Sequence, residues 1–179
     1  EGRRQLGRAE VDVPAVCLLD PDGDIVRHLT DTGRAVRHPG WACYHTQMWI
    51  TEVDHLRLGV VGCAVGAPFA VLVAEQLAVS GATLVVSITS AGQLAPLADP
   101  PYFVLIDRAL RDEGTSLHYQ PPSTWADLSG HLAAALAPLT TPRGTLFSGS
   151  SWTTDAPYRE TEAAIAVAVD AGAICVEME

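Results

Sequence analysis

Short apolar runs alternate with amphipathic stretches along the chain, and Gly, Pro or Asp clusters mark most of the changes. The run Val13–Leu19 predicts a buried strand, stopped by the turn cluster D-P-D-G-D at Asp20–Asp24. Ile25–Thr32 predicts a helix, Arg37–Gly40 a loop, and Tyr44–Val53 and His55–Gly62 two strands. The segment G-A-P-F-A-V-L-V-A-E-Q-L-A-V-S-G-A then spaces its apolar residues three and four apart. With Pro68 at an early helical position and Gly81 as a stop, it predicts a helix. Thr83–Gly92 is a β-branched run that ends in small residues. Tyr102–Arg108 and Gly144–Ser148 predict further strands, and Ala126–Ala137 a helix. Glu160–Ala171 predicts a helix stopped by Gly172, and Ala173–Glu177 a last strand.

Strands that alternate with helices imply an α/β layered domain with a largely parallel central sheet. The 179 residues suffice for one domain that removes about two thirds of its unfolded surface from water. No repeat or linker interrupts it, so residues 1–179 are expected to form a single domain. Ligands of such sheets sit at the carboxyl ends of the strands. Three clusters of small or polar residues fall there: T-S-A-G, S-S-W-T-T-D and E-M-E. The last is notable because two carboxylates, Glu177 and Glu179, follow an apolar strand, and a buried charge without a partner costs several kcal/mol.

Composition narrows the chemistry. The chain is 48% hydrophobic and 18% charged, as expected of a globular domain, and its net charge is −10. The basic residues are scattered, which argues against nucleic acid or an anionic membrane as partner. All eleven are arginine, so Schiff-base chemistry, lysine general bases and a P-loop are excluded. Cys17, Cys43, Cys63 and Cys175 have no metal-ligand spacing and read as small apolar residues suited to a reducing cytoplasm, and no metal site is expected. Leu58–Val73, the most apolar segment, is too short and too broken by Gly and Pro to span a membrane. The first residue is not Met, so the N-terminus is expected to be incomplete.

The strings V-G-C-A-V-G-A-P-F-A-V-L-V-A-E-Q-L, S-I-T-S-A-G, T-T-D-A-P-Y-R-E-T and G-A-I-C-V-E-M-E, in this order, resemble the nucleoside phosphorylase and nucleosidase superfamily. The likeness runs from about Asp20 to Glu179. It implies a three-layer α/β/α fold with a central mixed, largely parallel sheet. The implied activity is cleavage of a nucleoside N-glycosidic bond by phosphorolysis, with inorganic phosphate as co-substrate and no cofactor; hydrolysis is the alternative, and nucleoside binding without turnover a further one. In relatives the chain continues beyond V-E-M-E, so this sequence is expected to be incomplete at its C-terminal end. Relatives are dimers or trimers of dimers, which implies a homo-oligomer, with the Tyr44 and His45 region as its expected interface.

The resemblance also assigns site residues. Met178 and Glu179 would hold the ribose, Glu179 through charge-assisted hydrogen bonds from its hydroxyls. Negative charge there would also stabilise the oxocarbenium-like transition state as the base departs. Ser90 would stand between ribose and phosphate, Gly66 near the anion, and Ala91, Gly92, Glu177 and Trp152 around the base, with Trp152 stacking on it. Three arginines expected at the phosphate are missing: Gly23, Ser87 and Cys43 occupy their positions. Arg27, Arg111 and His118 are the substitutes to consider. If the acceptor is water instead, Asp24 is the residue that would activate it. No Gln follows Trp152 at the spacing that uracil recognition needs, so the preferred base stays open.

Overall fold

The fold is that of a computed structural model, which describes residues 4, 7, 12–141 and 144–179. Chain contacts divide it into two compact units, residues 1–90 with Glu179, and residues 91–178.

In the first unit, β1 (Val16–Asp20), β2 (Val36–Arg37), β3 (Met48–Val53), β4 (Leu56–Gly62) and β5 (Leu84–Ser87) form one sheet in the order β2-β3-β4-β1-β5. β1 runs parallel to both β4 and β5, and β2 and β3 extend the sheet in antiparallel fashion. The alternation of β1 puts Cys17 and Leu19 into the core, as period-two geometry requires. They meet Met48, Val61, Val73 and Leu77 there. Two helices accompany the sheet, α1 (Asp24–Asp31) and α2 (Ala67–Val79). In α2 the residues Ala67, Ala70, Val73 and Leu77 are buried, a three-and-four spacing that lays one face on the core. Pro68 sits in its first turn, where a missing N–H costs nothing.

In the second unit, β6 (Gly92–Gln93), β7 (Tyr102–Asp112), β8 (Trp125–Asp127), β9 (Thr145–Thr154) and β10 (Ala173–Glu177) pair in the order β6-β10-β9-β7-β8. The central pairings β10–β9 and β9–β7 are parallel, and the two edge strands are antiparallel. Helices α3 (Gly130–Leu136) and α4 (Glu162–Asp170) complete the unit. Thr161 caps α4 by accepting the Ala164 N–H, and Gly172 with φ 101° follows its end. Trp152, Ala168, Ala173 and Val176 form the buried cluster of this unit.

The chain is therefore mixed α/β with parallel strands at the centre of each sheet, as its pattern predicts, but the strands form two five-stranded sheets where one central sheet is expected. Several boundaries differ. β7 and β9 run to Asp112 and Thr154, well past the predicted ends, because each is the other's parallel partner over almost its whole length. The predicted helix Ala126–Ala137 yields its start to β8, which pairs with β7 through Arg108↔Asp127 to Leu110↔Trp125. The Arg108 guanidinium lies 4.1 Å from the Trp125 ring centroid and donates to Ser150 Oγ, which ties β8, β7 and β9 together. The predicted run Thr83–Gly92 splits between β5 and β6, which belong to different sheets.

Cys17, Cys43 and Cys175 are buried and Cys63 is exposed, all as free thiols. Burial pushes the thiols of Cys17 and Cys175 up to about 11 and raises that of Cys43. Ellman's reagent at mildly alkaline pH is therefore expected to modify one thiol per native chain, Cys63, and the other three only after denaturation. Fast labelling of Cys17 or Cys175 in the native protein would contradict this packing.

Candidate functional site

The turn between β1 and α1 is built from three aspartates with separate tasks. Asp20 is 2% exposed, and its Oδ2 accepts the Val26 N–H at 2.8 Å, capping the start of α1. Burial raises its pKa, and the hydrogen bond from Val26 works against that shift. Asp22 Oδ2 accepts the Ser90 N–H at 2.6 Å, and its Oδ1 accepts the Ser90 hydroxyl at 3.2 Å. Asp24 stands exposed in the first turn of α1, in an ion pair with Arg27 one turn on. Asp24 thus favours the positive end of the helix and accepts a hydrogen bond from Arg27.

Gly23 has φ 77°, in the left-handed region, and a Cβ there would lie 2.7 Å from Cys63 Sγ. At this position, where relatives are expected to carry their first arginine, a side chain would be strained by the backbone and would have to displace the Cys63 side chain. Cys43, at the third expected arginine, is buried in the first core. Ser87 is exposed on β5, opposite Leu19. Arg111 commits its Nε to Ser116 and its Nη1 to Pro121 and Ser123, within the loop after β7. In that loop burial acts to raise the Glu113 pKa, but hydrogen bonds from Ser116 and Thr115 and the Arg111 charge outweigh it and hold the carboxyl below its ordinary value. His118 lies exposed in the short helical turn Ser116–His118.

Glu179 is half-buried, and its Oε1 accepts the Gly66 N–H at 3.5 Å. Gly66 is the N-cap of α2, with φ 88°, so its amide and the positive end of the helix face the carboxylate together. These two predicted site residues are brought into contact. In the second unit, Glu177 Oε1 accepts the Thr153 hydroxyl at 2.5 Å. The two residues are register partners across the parallel pair β9–β10, so the strand register itself supplies this partner. Met178 is half-buried. Ala91 is exposed, and Gly92 lies on β6 where a Cβ would stand 2.7 Å from Val176 Cγ1. Strand packing against Val176 thus favours glycine at position 92.

Trp152 is 4% exposed, packs with Ala168, Ala173 and Val176, and donates its Nε1–H to Asp112 Oδ2 at 3.0 Å. The ring is therefore buried in the core of this unit, whereas the resemblance expects it to stack on a base. The open aromatic of the T-D-A-P-Y-R-E-T string is Tyr158, which is fully exposed. In the sequence Asp22 is one acid of the turn cluster D-P-D-G-D, and its one local signal is its place ahead of the glycine that stands for an arginine.

A cleft of about 320 Å³ lies in the first unit, in the loop between β2 and β3, lined by Arg37, His38, Trp41, Tyr44 and His45 among others. It shares none of the residues assigned to the ribose. Among the described residues, no group of three or more His, Cys, Asp or Glu side chains is placed to hold a metal ion, and no helix is long and apolar enough to cross a membrane.

A family model described as the phosphorylase superfamily matches residues 19–179. The chain belongs to the phosphorylase superfamily. A search of curated proteins finds no match. Among solved structures, this superfamily member is similar to uridine phosphorylase from Vibrio fischeri complexed with 6-hydroxy-1-naphthoic acid. That likeness has TM-score 0.77 and 19% identity, and covers 98% of this chain and 76% of that one. A second structure of uridine phosphorylase from Vibrio fischeri matches with TM-score 0.73 and 18% identity, over 94% of this chain and 70% of the other. At this identity the likeness establishes the phosphorylase-like fold of the superfamily member.

Proposed function

We propose that this superfamily member cleaves the N-glycosidic bond of a nucleoside, with Glu179 as the carboxylate under the ribose. The observation that carries this reading is the contact of Glu179 with the Gly66 amide at the start of α2. It places a negative charge beside the start of α2, and in this reading the sugar hydroxyls donate to it. As the C1′–N bond breaks, positive charge builds on the ring, and a fixed carboxylate stabilises that state more than the neutral substrate.

Two acceptors are open to such a cation. Phosphorolysis, which the family resemblance implies and the uridine phosphorylase neighbours support, joins a phosphate oxygen to C1′ and releases the base with a sugar 1-phosphate. Hydrolysis joins a water oxygen to C1′, and the base leaves with a proton as free pentose forms. The glycine at position 23 with its left-handed backbone, the buried Cys43 and the pairing of Arg27 with Asp24 support the second. A dianionic phosphate without arginines must rely on amides and hydroxyls alone, which is weak binding.

The test is base release from purine and pyrimidine nucleosides, with and without inorganic phosphate, followed by analysis of the sugar product. Free base with free pentose in phosphate-free buffer is the expected result. No base release from any nucleoside under either condition would overturn the glycosidic reading.

A further inference from the structure

Resting on that reading, we propose that Asp22 is the residue that selects the acceptor: it acts as a built-in anion on Ser90 and excludes phosphate in favour of water. Ser90 offers two donors in one direction, its backbone N–H and its hydroxyl. Both are taken by the two oxygens of one carboxylate, at 2.6 and 3.2 Å. This two-point grip is the pattern in which paired donors hold a phosphate or sulfate oxyanion. A carboxylate supplied by the chain itself competes strongly for these donors, because it sits at a high local concentration and pays no association cost.

The charge matters as much as the occupancy. Among the described residues no arginine forms an ion pair with Asp22. Position 23, beside it in sequence, is a glycine whose left-handed backbone and close approach to Cys63 Sγ disfavour a side chain. Phosphate arriving at Ser90 would therefore have to displace one anion and stand beside it uncompensated. Repulsion between such charges a few ångströms apart weakens binding by about tenfold or more. Water carries no charge and meets no such barrier. In the step that follows, a water oxygen bonds to C1′ while the C1′–N electron pair leaves with the base, and the water's proton completes the base.

The test compares the wild-type chain with Asp22→Ser and the neutral isostere Asp22→Asn. Asp22 is exposed in a turn, so neither change removes core packing. Two readouts are used: inorganic phosphate as a stabilising ligand in thermal unfolding, with ionic strength matched by chloride, and phosphate dependence of base release with analysis of the sugar. The wild type is expected to show no stabilisation by phosphate and to form free pentose. Asp22→Ser is expected to be stabilised by phosphate, to release base about tenfold faster with it, and to form some sugar 1-phosphate. Asp22→Asn should move the same way, since it removes the charge.

A wild type that binds phosphate and forms sugar 1-phosphate would overturn the proposal. So would two variants that ignore phosphate as the wild type does. If no protein cleaves any nucleoside, the glycosidic reading fails by itself, and the unfolding measurement still decides whether Asp22 bars the anion.

Discussion

Glu179→Gln is expected to lower the rate of base release by about two to three orders of magnitude, the loss seen when one fixed electrostatic stabiliser is removed from an active site. The substitution keeps the size of the side chain and leaves an amide oxygen to accept the Gly66 N–H, so the local geometry survives. What disappears is the charge that opposes the cation on the sugar. Because that charge acts mainly in the transition state, the loss should fall on kcat, with a smaller change in KM. Stability should change by less than about 1 kcal/mol, since a half-buried, long contact contributes little. Steady-state kinetics beside a denaturant titration checks both halves. An unaltered kcat would place the ribose elsewhere.

Trp152→Ala should act in the opposite manner, costing about 3–5 kcal/mol of stability as expected for loss of a large buried aromatic side chain. The ring fills the second core between Ala168, Ala173 and Val176, and its Nε1–H satisfies Asp112 Oδ2. Removal leaves a cavity and deprives a carboxylate of its donor. Set against a total of about 5–15 kcal/mol for a typical domain, this brings the protein close to unfolding. Trp152→Phe retains most of the volume and should recover most of that loss. The denaturant midpoint of the three proteins decides the matter. If Trp152→Ala folds as well as the wild type and instead weakens nucleoside binding by about 1–3 kcal/mol, the ring stacks on the base after all.

These two residues show what a short string carries and what it leaves out. The V-E-M-E string marks Glu179, and the structure brings that carboxylate to Gly66 of another string. The S-S-W-T-T-D string marks Trp152 in the same way, and the structure buries it in the core. The difference is one of local against long-range information. A string specifies which side chains are present and, on a strand, which of them share a face. Which face is covered depends on strands and helices far along the chain: here β10 and α4 close over Trp152. Serine, threonine and carboxylate pairs behave alike. Asp22 and Ser90 are 68 positions apart, and Glu177 finds Thr153 only because β10 lies beside β9 in that register.

By itself, the sequence determined the α/β alternation, the starts and stops of most elements, the membership of the phosphorylase superfamily and the loss of the expected arginines. These follow from periodicity, Gly and Pro placement and short strings, all of which act over a few residues. Only the tertiary structure decided that the strands divide between two sheets, that position 23 lies tight against Cys63 with a left-handed backbone, that Trp152 is core, and that Asp22 takes both donors of Ser90. Each of these depends on which distant backbone comes to lie alongside, and that choice is made by register and packing over the whole chain.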